Sequence, residues 1–296
     1  MSQTVSASAG RPYGVARTCR VLEIPRSTVY ADQARALAPA RLPQKRGPKR
    51  AGGDAGLTEQ VRAVLQASPW LGEGYRKAWA QLRRDGIRTS QARVLRLMRA
   101  AGLLAPTRDR RSHGPKAHDG TITTDWPDAM WGTDATSTLT GEGPAAIFLA
   151  VDPCSQECLG IHAAVRGARF EALEPIRQGV REHFAGYTAD IAKGLTLRHD
   201  SGSPHQSHYF QAELRFLGLE SSPASVREPE GNGVAERFIR TLKEQLLWVQ
   251  RFDTVADLLA ALYPFRQPYS QQGLVGKHND GTPAMARLRL TTELAA

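Results

Sequence analysis

WGTDATSTL (131–139) alternates polar with apolar or small residues, the period of a β-strand with one face covered. Two more strand-like runs follow closely, AAIFLAVD (145–152) and LGIHAAV (159–165). Beyond them the pattern predicts a helix at about 170–185, a strand at 194–198, a helix at 206–217 and a short strand near 218–221. A long helix then covers about 231–249. Three consecutive strands followed by alternating helices and strands define an α/β domain, and periodicity alone says no more.

Working outward from that first strand, three acidic residues attract attention. Asp134 lies in the strand. Asp200 follows the apolar run ending at Leu197, where a second strand ends. Glu236 lies in the helix GNGVAERFIRTLKEQLLW (231–248), with 35 residues between it and Asp200. Two strand-end aspartates and a helical glutamate can converge to hold two divalent cations. Such a pair, roughly 3.5–4 Å apart, is a general device for in-line attack on a phosphodiester. Carboxylates suit it because Mg²⁺ prefers oxygen ligands.

Each acid also has a plainer reading. Asp134 could be an edge-strand or turn residue, and Asp200 an Asx-turn residue before Gly202. Glu236 could be a surface glutamate paired with Arg240 at i+4. On that helix Glu236, Arg240 and Lys243 share one face, while Val234, Phe238 and Leu242 point at the sheet. Gly231-Asn232-Gly233 supplies a turn and a helix cap. Asp152, a fourth acid at a strand end, reads as structural. His199, His205 and His208 crowd Asp200 in sequence. Cys154 and Cys158, with His113 and His118, lack the spacing of a zinc module.

RHDSGSPHQSHYFQ (198–211) and REPEGNGVAERFIRTLKEQLLW (227–248), with the triad, resemble the DDE transposases and integrases of the retroviral-integrase superfamily. More narrowly, they resemble the second-reading-frame product of the insertion-sequence-3 family, over roughly residues 57–290. The resemblance implies an RNase H-like mixed-sheet catalytic domain preceded by an all-α helix-turn-helix region. It implies a transposase that cleaves element ends and transfers 3′ ends to target DNA by two-metal transesterification, using Mg²⁺ or Mn²⁺. Asp134 would bridge both ions, with Asp200 and Glu236 each favouring one. The implied partners are terminal inverted repeats, target DNA, further copies of the chain on DNA and an upstream-frame transposase protein. The sequence departs from the family at Ser270, where a Tyr-Asn pair is usual, and at Gly273, where a Trp is usual. The ending Gly281-Thr282-Pro283 is retained.

Charge divides the chain. Residues 1–120 hold 23 Lys and Arg against 8 Asp and Glu, whereas residues 121–296 hold 16 against 21. A basic half suited to phosphates therefore precedes a mildly acidic half suited to metal ligands. Within the basic half, residues 1–40 form a short helical segment. In it Val15, Cys19 and Leu22 share a face and Ser27 caps a second helix. This is either a small helix-turn-helix or a two-helix cap. Residues 41–56 are a basic Pro/Gly-rich linker.

Residues 57–104 are helical. Val61, Val64 and Leu65 make one face, Tyr75, Trp79 and Leu82 a second, and Val94, Leu97 and Met98 a third, with Thr89 or Ser90 as cap. The resemblance makes this segment a helix-turn-helix, with Arg76, Lys77, Arg88, Arg93 and Arg96 contacting DNA. Arg240 and Lys243 add phosphate contacts beside the triad. A second linker, 105–125, leads to the catalytic core at 126–290.

No apolar run approaches 18 residues, MSQTVSASAGRPYG (1–14) lacks an apolar signal region, and three cysteines fit a reducing compartment. A cytoplasmic, nucleoid-associated protein is expected. The competing function is a non-catalytic DNA-binding regulator derived from a transposase, followed by a nuclease of the same fold.

Overall fold

The computed structural model describes residues 3–37, 53–106, 124–200, 202–223 and 232–295. The chain divides into two compact units, Met1–Gly53 and Asp54–Ala296.

The first unit contains α1 (Gly14–Val21) and α2 (Arg26–Leu37). Cys19 is buried on α1, but Leu22, expected on the same covered face, is exposed. α2 starts at Arg26, so Ser27 lies inside its first turn and does not cap it. Pro25 leads into the helix with no N–H to leave unsatisfied. Most of the expected 41–56 linker lies outside the described residues, and its last three residues already belong to the next helix.

The second unit begins with three helices, α3 (Asp54–Ala67), α4 (Tyr75–Arg84) and α5 (Gln91–Ala100). Their apolar faces meet as the 3.6-residue period requires: Leu57 and Val61, Ala78 and Leu82, and Val94, Leu97 and Met98 form one buried cluster. The Asp85-Gly86 turn uses Gly86 at φ +79°, where a side chain is unfavourable. Of the two candidate caps, Ser90 accepts from the Arg93 amide at 3.3 Å. The Thr89 carbonyl accepts instead from Trp79 Nε1 at 2.8 Å. The 105–125 linker lies largely outside the described residues.

The remainder is built on a five-stranded sheet. The strands are β1 (Met130–Thr140), β2 (Gly143–Val151), β3 (Cys158–Ala164), β4 (Thr196–His199) and β5 (Glu220–Pro223), in the order β3-β2-β1-β4-β5. β1, β2 and β3 are antiparallel neighbours, and β4 and β5 run parallel to β1. The sheet is therefore mixed, as the resemblance implies.

Both faces of the sheet are covered, which explains why β2 reads as a continuous apolar run. Ile147, Leu149 and Val151 face a cluster with Val234, Phe238, Leu242, Leu258 and Leu262. Phe148 and Ala150 face the other way, among Trp131, Leu173, Ile176, Phe210 and Leu214. The second layer is α6 (Arg169–His183), α7 (Ser203–Gln206) and α8 (His208–Leu217). Gly160 of β3 lets α6 pack close: a Cβ there would lie 2.0 Å from the Pro175 carbonyl oxygen.

The helix expected at 206–217 is two helices. Ser207 is extended between them and its hydroxyl caps α8 by accepting from the Phe210 amide at 3.2 Å. Gly218, at φ +78°, ends α8 and turns the chain toward β5.

On the opposite face lie α9 (Gly233–Leu242) and α10 (Val255–Gln272), and α11 (Pro283–Ala295) packs on α10. The expected helix 231–249 continues past α9 as a π-helical turn, Lys243–Leu247. That turn seats the three-helix bundle on the sheet domain. Gln245 accepts from the Leu71 amide at 2.7 Å and donates to the Leu71 carbonyl at 3.0 Å. Trp70 is buried in the same cluster as Phe238 and Leu262. Arg84 donates to the Asp280 carbonyl at 3.0 Å. Among the described residues no helix is long and apolar enough to cross a membrane.

Candidate active site

The sheet register brings the two aspartates level. β1 and β4 run parallel and pair Gly132 with Arg198, so two residues further on Asp134 stands beside Asp200, just past the end of β4. Asp134 shares a strand face with Gly132, because side chains two apart point the same way. That face is covered by α9, since the Cβ position of Gly132 is directed at Asn232. Glu236 lies one turn along α9 from Asn232 and is exposed.

Asp134 feels the charges of both other acids. Burial above all, with the charges of Asp200 and Glu236, raises the Asp134 carboxyl from an ordinary 3.8 to about 6. A hydrogen bond from the Ala135 amide, at 2.8 Å, and the charge of Lys243 act against the rise. Asp200 behaves differently. Partial burial would raise it, but the Gly202 amide and His205 hold it below the ordinary carboxylate range.

Asp200 does make the Asx turn that was its plainer reading: its Oδ1 accepts from Gly202 N at 3.0 Å. A Cβ on residue 202 would lie 2.9 Å from that oxygen, so glycine leaves room for the folded-back carboxylate. The same Oδ1 accepts from His205 Nδ1 at 2.5 Å. His205 is buried, which lowers its pKa despite Asp200, so a neutral imidazole donates this bond. Phe210 backs the ring at 5.0 Å. His199 donates from Nδ1 to the Asp200 carbonyl at 2.7 Å and accepts at Nε2 from Ser221 at 2.8 Å. His208 is exposed at the start of α8. Thus Oδ1 of Asp200 is committed to its own loop. Among the described residues no three His, Cys, Asp or Glu side chains stand close enough to enclose a cation.

Several expected partners differ in the structure. Arg240 pairs with Glu244 at 3.0 Å and not with Glu236, leaving Glu236 outside that ion pair. Asn232 occupies the cap position of α9 without capping it, because its Nδ2 donates to the Thr133 carbonyl at 2.9 Å. Asp152 is structural. It is fully buried and accepts from Cys154 N, Ser155 Oγ and Arg287. Ser270 and Gly273 lie at the end of α10, behind the sheet. A Trp would not fit at 273, where a Cβ would come 2.5 Å from the Tyr269 carbonyl oxygen.

The basic residues of the three-helix bundle are partly engaged. Arg76 is exposed, with its guanidinium over the Tyr75 ring at 5.8 Å. Lys77 lies 3.8 Å from Glu73. Arg93 and Arg96 both bind Asp54, at 2.8 and 2.7 Å, and lower its pKa. Arg88 is exposed beyond α4. The Asp54 pairing had no sequence signal, since it spans about 40 residues between two helices with unrelated periodicity.

The chain resembles known proteins in both of its principal parts. Residues 53–111 match a family described as an HTH-like domain. Transposase InsD for insertion element IS2D, from Escherichia coli (strain K12), is 29% identical over 200 residues, covering 64% of this chain and 66% of the relative. The corresponding transposase of insertion element IS2-9 matches equally well over 65% of its length. The match thus spans just under two thirds of these relatives. The catalytic core domain of BIV integrase aligns at 21% identity and a TM-score of 0.42, covering 57% of this chain and 99% of the other. A simian T-cell lymphotropic virus intasome aligns at 16% identity and a TM-score of 0.45, over 71% of this chain and 70% of the other.

Proposed function

We propose that this relative of the insertion-element transposases is itself a DNA-cleaving and DNA-joining enzyme, with Asp134, Asp200 and Glu236 as its metal ligands. The observation that carries the reading is the Asp134 carboxyl, pushed up to about 6 by burial and by the charges of Asp200 and Glu236. A carboxyl raised by burial and by two neighbouring negative charges weakens a fold unless a cation completes it. The donor set is entirely carboxylate oxygen, which fits Mg²⁺ or Mn²⁺. Asp134, Asp200 and Glu236 would hold such ions, with Asp200 Oδ1 already engaged by Gly202 and His205. When bound, two such ions lower the pKa of the attacking hydroxyl and stabilise the leaving oxygen.

The rest of the chemistry belongs to the chain. His205 and the Gly202 amide hold the Asp200 carboxylate in one orientation. Arg240 and Lys243, on the same helix as Glu236, contact the backbone phosphates next to the bond that breaks. Arg76, Lys77, Arg88, Arg93 and Arg96 hold the terminal repeat. Cleavage places a water oxygen on phosphorus and releases a 3′-hydroxyl. Joining places that 3′-hydroxyl on a target phosphorus and releases a target 3′-oxygen. Assembly of copies on DNA, and an upstream-frame partner, belong to the same reading.

The test is a cleavage and joining assay with labelled element-end DNA and Mg²⁺ or Mn²⁺. Metal-dependent nicking followed by products longer than the substrate is expected. DNA binding with neither product would leave a regulator. Nicking without joining would leave a nuclease.

A further inference from the structure

We infer that Asn232 is a positioning residue that holds the Glu236 end of α9 against the strand carrying Asp134, and that Gly132 exists to admit it. The inference rests on reading Asp134 and Glu236 as metal ligands.

An asparagine at the start of a helix ordinarily accepts a hydrogen bond from an amide of the first turn. Asn232 does not. It donates from Nδ2 to the Thr133 carbonyl at 2.9 Å, across 99 positions of sequence. Its Oδ1 points at Gly132, where a Cβ would lie only 2.7 Å away. Any other residue at 132 would therefore push the amide off. Val151 Cγ2, 3.7 Å from the same point, closes the other side of the slot.

The anchor is firm. Thr133 is fully buried, and its hydroxyl is fixed by donating to the Leu149 carbonyl at 2.9 Å on β2. The bond thus ties the first turn of α9 to the middle of the sheet. Glu236 follows one turn beyond Asn232, and Asp134 follows Thr133 directly. A single neutral amide therefore sets how far apart these two like-charged carboxylates stand before any cation joins them. Neutrality matters, since a charged group here would change the field at Asp134 as well as the spacing.

The experiment uses the full chain with Asn232→Ala, Gly132→Ala and the double variant. In EDTA, hydrogen exchange of peptides covering residues 233–237 rises in each single variant, while exchange in the three-helix core is unchanged. In the double variant it rises no further than in Asn232→Ala, because the two residues serve one contact. Calorimetric Mn²⁺ titration on uncleavable end DNA then gives an affinity roughly tenfold weaker in each single variant, the usual cost of losing an outer-shell contact. Turnover falls while the DNA concentration for half-maximal rate stays put.

Wild-type exchange and Mn²⁺ affinity in Asn232→Ala would overturn the inference. So would single-variant losses that multiply in the double variant. If Gly132→Ala alone unfolds, recovery of folding in the double variant supports the clash, and failure to recover counts against it. A wild type that binds no Mn²⁺ but shows the predicted exchange pattern would remove the metal reading and leave the tether standing.

Discussion

Trp70 lies edge-on to Phe265, with ring centroids 5.7 Å apart and planes at 83°. Trp70 precedes α4 and α5 and Phe265 is on α10, so this contact joins the helical bundle to the sheet domain. The twin bonds between Gln245 and the Leu71 backbone lie directly beside it. The π-helical turn that carries Gln245 continues the helix that carries Glu236. In the proposed function, DNA held by the bundle is thereby referenced to the three acids.

Trp70→Ala removes that seat and leaves a cavity in the larger core cluster. The expected loss is about 3–5 kcal/mol, the usual cost of truncating a buried Trp. Denaturant melts followed by tryptophan fluorescence check it. Trp70→Phe costs less, since the indole N–H finds no partner among the described residues. A loss under about 1 kcal/mol in the alanine variant would mean that the bundle is not seated by this residue.

The Asp134 pKa makes a signed pH prediction. Below about pH 3.8 the carboxyl is neutral folded and unfolded, and no penalty exists. Between there and about 6 the unfolded chain ionises while the folded site resists, so stability falls as pH rises. Above that the full penalty is present, at most about 3 kcal/mol from a shift of this size. In EDTA at pH 7, Asp134→Asn is therefore expected to melt above wild type, and to match it near pH 3.5. Mn²⁺ should raise the wild-type melting temperature by a few degrees and the variant's by much less. Equal melting of the two proteins at pH 7 in EDTA would refute the strain.

In the proposed function Asp54, which pairs with Arg93 and Arg96, competes with DNA for both. Asp54→Asn is expected to strengthen binding of end DNA several-fold at low salt, since phosphates no longer displace a carboxylate. Arg93→Ala and Arg96→Ala should each lower the slope of log affinity against log salt by about one. Fluorescence anisotropy over a salt series measures both. Unchanged slopes would remove these two arginines from the DNA contact.

Alanine at Asp134, Asp200 or Glu236 is expected to abolish cleavage and joining while leaving end binding in place, because binding belongs mainly to the basic half. Gel assays of products and complexes on the same samples separate the two effects. More than a few per cent of wild-type product from any one variant would take that residue out of the triad.

Local periodicity is an accurate guide in much of the second unit, whereas Leu22, expected on the covered face of α1, is exposed. The apolar faces of α3, α4 and α5 form the cluster their spacing requires. Val234, Phe238 and Leu242 meet the sheet as a 3.6-residue period places them. Ser207 shows the opposite case. Its hydroxyl can stay in a helix or cap one, and only the packing of Phe210 and His205 beneath it selects two helices. The π-helical turn likewise carries Gln245, whose partner Leu71 lies 174 positions away.

The three candidate acids, the basic half and the alternation of strands and helices are legible in the sequence itself, because each rests on residue chemistry or on local spacing. The tertiary structure decided which partner each charged or polar side chain takes. Arg240 chose Glu244 over Glu236, Arg93 and Arg96 found Asp54, His205 closed on Asp200, and Asn232 left its own helix for Thr133. Side-chain hydrogen bonds reach only about 3 Å, and folding brings distant segments within that range in ways no local period records.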